Sequence, residues 1–381
     1  MNQQKVILAE HLEQSLTEAM AECKHDKTFI LADETTRRLC LPVVEGFDSL
    51  KGAQLITIGA TDTHKTLESL AHVWEELGKG GATRHTLLIN IGGGMVTDLG
   101  GFAASTFKRG IHYINIPTTL LSMVDASVGG KTGINFNGLK NEIGVFNNAD
   151  AVILDTQFLQ TLDHENFLSG YAEMLKHGLI SNEPMWAELL SENLELRTER
   201  YDYTQGGTQG KTQDETPGLH GNHTSQFSVL SSQFRQMLAD SVAVKQRIVT
   251  EDPTEQGIRK ALNLGHTAGH AFESFALQHQ PVLHGYAVAW GLIVELYLSA
   301  IKTGFPTDKM HQTVRFIREH YGRMQITCDD YPTLLELMTH DKKNVAGTIN
   351  FTLLGDIGDI RINQTATKDE IYEALDFYRE G

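Results

Sequence analysis

The sequence predicts an α/β protein, with a doubly wound, mostly parallel N-terminal half followed by a mainly α-helical second half. Three observations carry that prediction. Five short apolar runs punctuate the first 160 residues, separated by helical patterns or turn residues. Beyond them the periodicity changes to long stretches of helical spacing. Finally, 381 residues exceed what one ordinary core fills, so two domains of roughly 150–200 residues are expected, at 1–160 and 161–381.

The elements follow in order. "TFILAD", "QLITIGA", "TLLINIGGG", "YINIP" and "AVILD" are unbroken apolar strands, of the kind a parallel sheet buries on both faces. Between the second and third lies "THKTLESLAHVWEELGK", an amphipathic helix pattern. Such alternation is the mark of a doubly wound domain of the nucleotide-binding type. Helical spacing then covers 163–198, 229–250, 264–279, 285–303 and 309–322, with a β-like "TINFTLL" at 348–354 and a last helix near 368–379. The stretch at 203–228 is rich in Gly, Thr and Gln and nearly free of aliphatic residues, so it reads as a flexible polar loop within the helical half.

Composition narrows the partners. A net charge of −16 argues against a nucleic-acid surface, which needs a basic patch, although a few local cations suffice for a small anion. Cys23, Cys40 and Cys328 are odd in number and widely spaced, as in a reducing cytoplasm. The opening residues lack an apolar core of signal-peptide length, so a cytoplasmic protein without membrane attachment is expected.

Four segments carry chemistry. In "INIGGGMVTDLGGFAASTFKRG" a buried strand ends in Gly92, Gly93 and Gly94 and a helix follows, so the backbone can approach a pyrophosphate at a helix N-terminus. Asp98 lies in that first helix. The segment "IPTTLLSMVDASVGGKTGINFNGLKN" crowds Thr118, Thr119, Asp125, Lys131, Lys140 and Asn141 around paired glycines, an anion cradle that does not match the P-loop pattern. In "SGYAEMLKHG", Glu173, Lys176 and His177 share a helical face. The stretch "LNLGHTAGHAFESFALQHQPVLHG" adds His266, His270 and His284. Glu173, His177, His266, His270 and His284 are thus five candidates for about three protein ligands and an open position on a metal. Helical spacing by itself favours pairing His266 with His270. Lys245, Arg259, Asn263, Lys342 and Lys343 bring further cations and an amide. A dinucleotide, a metal and clustered cations predict redox chemistry on a phosphorylated polyol.

In this order, "GGGMVTDLGGFAASTFKRG", "IPTTLLSMVDASVGGKTGIN", "LKNEIG", "SGYAEMLKHG", "ALNLGHTAGHAFE", "LHG" and "HDKKN" resemble the 3-dehydroquinate synthases of the sugar-phosphate cyclase superfamily, over about residues 30 to 360. The resemblance implies an NAD-dependent enzyme of the shikimate pathway that uses zinc or cobalt. It implies conversion of 3-deoxy-D-arabino-heptulosonate 7-phosphate to 3-dehydroquinate and phosphate, by oxidation, β-elimination, re-reduction, ring opening and aldol closure. Position by position, it implies Glu173, His266 and His284 as metal ligands and His270 in proton transfer. Asp33, Asp62, Lys65, Gly92, Gly93, Gly94, Asp98, Thr118, Thr119 and Lys140 would hold NAD. Lys131, Asn141, Asn263 and Lys342 would hold the phosphate, joined by Arg109 from the second subunit of a homodimer. Asp125, Lys176, Lys245 and Arg259 would contact the carboxylate and hydroxyls, and with Lys131 complete the catalytic set. Asp62 stands where the family usually has Glu. Related cyclases with valiolone- or inosose-type products, and metal-dependent polyol dehydrogenases, are the alternatives.

Overall fold

The structure, a computed structural model, describes residues 4–192, 194, 229, 231–277, 279–339 and 349–380. The polar loop at 203–228 and Lys342 with Lys343 lie outside the described residues. The chain opens with strand β1 (Lys5–Leu8) and helix α1 (Leu12–Glu22), followed by β2 (Lys27–Asp33) and α2 (Glu34–Leu39). Next come β3 (Gln54–Ile58), α3 (Leu67–Lys79), β4 (Thr86–Gly92), α4 (Gly94–Thr106) and β5 (His112–Pro117). A hairpin of β6 (Lys131–Phe136) and β7 (Leu139–Phe146) precedes β8 (Ala151–Leu154).

Six of these strands form one sheet in the order β1-β8-β5-β4-β2-β3, parallel throughout. The strands are apolar because helices cover both faces; every residue of β4 is buried. From β2 the chain steps outward to β3, then returns to the other side of β2 as β4. That reversal opens a crevice at the carboxyl ends of β2 and β4, the place where open α/β sheets hold ligands.

The remaining chain is mainly helical. It runs through α5 (His164–Ser181), α6 (Glu183–Ser191), α7 (Ser232–Glu251), α8 (His266–Leu277), α9 (His284–Thr303), α10 (Thr307–Tyr321) and α11 (Tyr331–Thr339). An antiparallel pair, β9 (Asn350–Asp356) and β10 (Asp359–Thr365), and a last helix, α12 (Lys368–Glu380), complete it. Among the described residues of the predicted helix over 163–198 the chain forms two helices: Asn182 caps α6 through Oδ1, and Pro184 stands in its first turn. Strand β1, the β6–β7 hairpin, α11 and β10 were not anticipated from the sequence.

Helix α9 is the packing centre of this half, touching α5, α8, α10, α12 and β9. Two glycines set its distances. A Cβ on Gly285 would lie 1.9 Å from the carbonyl oxygen of Ser169 in α5, and one on Gly291 would lie 2.0 Å from that of Gly265. Only residues without a side chain let the three backbones approach so closely.

Candidate active site

The N-terminal ends of α8 and α9 meet the middle of α5, and this junction gathers the candidate metal ligands. Glu173 is fully buried on α5. Its Oε1 lies 3.5 Å from Nε2 of His266 and 3.5 Å from Nε2 of His284. Oε2 faces the Lys176 ammonium, yet neither carboxylate oxygen has a hydrogen-bond partner among the described residues. Buried carboxylates left in this way are rare unless something else completes them. Each imidazole also has its far nitrogen engaged: His266 Nδ1 lies 3.1 Å from the Leu264 carbonyl, and His284 Nδ1 lies 3.2 Å from Glu273 Oε2. Both partners are acceptors, so Nδ1 donates, and once each ring has only that one hydrogen its Nε2 turns a lone pair towards Glu173, as a metal ligand must. This donor set suits a divalent metal.

His270 lies within the same cluster, its ring centroid 5.4 Å from that of His266 and 5.8 Å from that of His284. His177, the fifth candidate, is fully buried and turns Nδ1 to Ser241 Oγ at 2.8 Å. Burial, aided by the Lys176 charge, lowers its pKa to about 3. Burial by itself would raise Glu173, but Lys176, His266 and His284 hold it well below the usual carboxylate range. For His284 burial opposes the charge, yet Glu273 and Glu173 raise the pKa to about 10.

Cations and carboxylates interleave beside this centre. Lys245 donates to Asp125 Oδ1 at 2.6 Å, with Lys176 3.9 Å from the same oxygen. Burial lowers Lys245 to about 8, despite Asp125. Arg259, 2% exposed, donates to the carbonyls of Pro253 at 2.6 Å and Gly129 at 2.9 Å. Lys131 and Asn263 meet on Glu255, at 2.5 Å to Oε2 and 3.0 Å to Oε1. Glu255 thus stands where two of the predicted phosphate residues converge. Sequence reasoning passed over it, as it did Glu273, because the partners that give each carboxylate its place are far away in sequence.

The predicted cofactor residues gather at the carboxyl ends of the strands. Asp33 ends β2, where Oδ1 accepts from the amides of Thr35 and Thr36 and so caps α2. Asp62 and Lys65 follow β3. Lys65, 3% exposed, reaches Asp98 Oδ2 at 2.5 Å and also donates to Asn141. Asn141 thus accepts from Lys65 beside Asp98. Gly92, Gly93 and Gly94 join β4 to α4, and Gly93 caps the helix with no side chain over its first amides. Thr118 and Thr119 follow β5; the Thr118 amide bonds the Gly92 carbonyl at 3.0 Å. Lys140 crosses from the hairpin to Glu273 Oε1 at 2.6 Å, with Asp62 Oδ2 at 3.9 Å. Arg109 stands exposed after α4 with left-handed backbone, φ 71°.

Comparison with known proteins adds the lineage. Residues 55–169 match the family model described as 3-dehydroquinate synthase N-terminal, and residues 170–344 match its C-terminal counterpart. A 3-dehydroquinate synthase of Parabacteroides distasonis is 50% identical over 382 aligned positions, covering 100% of this chain and 99% of the relative. One from Oceanobacillus iheyensis is 35% identical, covering 89% and 85%. Among solved structures, a 2-deoxy-scyllo-inosose synthase complexed with carbaglucose-6-phosphate, NAD+ and Co2+ superposes with a TM-score of 0.76 at 22% identity, covering 99% of this chain and 96% of that one. The 2-epi-5-epi-valiolone synthase of Streptomyces hygroscopicus subsp. jinggangensis 5008, with NAD+ and Zn2+ bound, has the same TM-score and identity, covering 99% and 97%. At that identity the two structures speak to the fold. With both halves matched by the family models and a full-length relative at 50% identity, the chain belongs to the 3-dehydroquinate synthase family.

Proposed function

We propose that this protein is the enzyme that converts 3-deoxy-D-arabino-heptulosonate 7-phosphate to 3-dehydroquinate and inorganic phosphate. The observation that carries the reading is the buried Glu173 carboxylate, ion-paired to Lys176 but without a hydrogen-bond partner among the described residues, on which the Nε2 atoms of two imidazoles converge beside a cluster of cations. The relative at 50% identity over the whole chain favours dehydroquinate as product over the valiolone- and inosose-type alternatives, whose solved structures are 22% identical.

Glu173, His266 and His284 would hold zinc or cobalt, and the crevice at the ends of β2 to β5 would hold NAD. When bound, these groups supply Lewis acidity at a hydroxyl and reversible hydride acceptance. The chain does the rest. Lys245, Lys176 and Arg259 offer positive charge to the substrate carboxylate, and Asp125 accepts from a hydroxyl. Lys131 and Asn263 take the phosphate by releasing Glu255, which leaves two pre-placed donors for the departing anion. His270 moves a proton during elimination. Asp33, Asp62, Lys65, Asp98, Thr118, Thr119, Lys140 and the three glycines line the cofactor crevice.

The reading extends to organisation. The cofactor-binding domain spans 1–160 and the helical domain 161–381. The protein is cytoplasmic, in keeping with three free thiols. It works as a homodimer. The exposed apolar residues of β7, Leu139, Ile143 and Val145, support this, because the hairpin packs on α4 and leaves them to solvent in one chain. Arg109 of a second copy would then complete the phosphate site.

The test is direct. The pure protein, given the heptulosonate phosphate, trace NAD and zinc, should release phosphate in many-fold excess over NAD with no net NADH. Stoichiometric NADH would instead mark a polyol dehydrogenase.

A further inference from the structure

We propose that Glu273 is a positioning residue that orients His284 for the metal and ties that orientation to the cofactor crevice through Lys140. This rests on the reading of Glu173, His266 and His284 as metal ligands. Glu273 is 7% exposed and lies seven residues beyond His266 on α8, on the same helical face. Its two oxygens go in different directions: Oε2 is 3.2 Å from His284 Nδ1, and Oε1 is 2.6 Å from Lys140 Nζ.

A carboxylate accepts and never donates. When the ring gives up its second proton to bind a metal, this fixes the tautomer with hydrogen on Nδ1 and leaves the lone pair on Nε2, the nitrogen 3.5 Å from Glu173. Glutamine would not. Its amide could donate to Nδ1 and select the other tautomer, with hydrogen on the nitrogen the metal needs. Lys140 comes from β7, in the hairpin inserted between β5 and β8 of the cofactor sheet, so one side chain spans the two halves of the site.

Two measurements test this on the intact protein. Zinc affinity of the metal-free protein is read by competition with a chromogenic chelator. NAD affinity is titrated with and without zinc, and the ratio gives the coupling between the two sites, which is reciprocal. Glu273→Gln should weaken zinc binding about 10–100-fold, the usual effect of losing an outer-shell partner, and bring the coupling ratio to about 1 (an independent pair of sites). His284→Ala serves as reference and should lose zinc altogether. If His284→Ala keeps zinc, the ligand reading itself fails. If His284→Ala loses zinc while Glu273→Gln binds it as wild type does, the positioning role is wrong and the ligand reading stands. Wild-type coupling in Glu273→Gln overturns the link through Lys140. Should Glu273→Gln not fold, Glu273→Asp replaces it; the shorter carboxylate cannot meet both partners, and the same readings decide.

Discussion

His266 and His270 stand four residues apart on one face of α8, and spacing alone would have paired them as ligands. The proposed separation of their tasks rests on a third residue, His284, delivered by another helix, and on Glu173, which meets the Nε2 atoms of His266 and His284 at equal distance. Glu173→Gln, His266→Ala and His284→Ala should each purify without metal by elemental analysis. His270→Ala should keep its metal and turn over about 10²–10⁴-fold more slowly, as when general acid–base help is removed. A metal-free His270→Ala would reverse the assignment. The motif residues were legible because dense polar and glycine-rich runs are improbable in a core. Glu255 and Glu273 were not, since their meaning lies in partners 124 and 133 residues away. A pH effect belongs to this scale as well. His177 is held neutral to about pH 3, against an ordinary value of 6.5. Between those values the unfolded chain takes up a proton that the fold refuses, so this residue lowers stability as pH falls through that window. The metal-free wild type should lose more melting temperature between pH 7.5 and 4.5 than His177→Gln, which can still bond Ser241. Equal losses would contradict a neutral buried imidazole.

Among the elements, the buried parallel strands were the easiest to read, because burial on both faces leaves uninterrupted apolar runs. Strand β1 has only four residues and an exposed or half-buried pattern, so it gives no such run. The β6–β7 hairpin was hidden for another reason: its residues were read as a glycine-turn anion cradle, and every residue of β7 is exposed within one chain. Its alternation nonetheless has a purpose. Lys140 points to Glu273 and Asn141 takes the Lys65 ammonium where the register shifts, and beyond that bulge Ile143 and Val145, two residues apart, share one exposed face. The helices were legible as a run of amphipathic segments, but their mutual distances were not, since those depend on which small residues meet. Gly285→Ala tests this. The new Cβ would meet the Ser169 carbonyl at 1.9 Å, so α9 must retreat from α5. A loss of about 1–3 kcal/mol or more, seen as a lower denaturation midpoint, is expected from such overpacking. His284 would retreat with it, so zinc affinity should fall too; an unchanged midpoint would mean that the helices are less tightly held than described.

At the scale of the whole molecule, the exposed apolar residues of β7 are where the proposed homodimer is tested. Leu139→Glu combined with Ile143→Glu should halve the mass seen by sedimentation and abolish most activity if Arg109 acts across the interface. A fully active monomer would remove the second subunit from the site. One buried carboxylate has a consequence inside the monomer. Glu295, in the middle of α9, accepts from the amides of Gly265, Thr267 and Ala268 at 2.6, 2.9 and 3.1 Å. It does for α8 what a local capping side chain usually does. Helix α8 therefore cannot begin properly until α9 has docked, and the two imidazoles that converge on Glu173 are brought in by one cooperative event. In native-state hydrogen exchange, those three amides should show the protection and denaturant dependence of the α9 core, and of no local fraying. Replacing Glu295 with Ala should turn them into fast exchangers while the six-stranded sheet keeps its protection. The metal site would then be lost by a partial unfolding confined to the helical half, with every ligand still in the sequence.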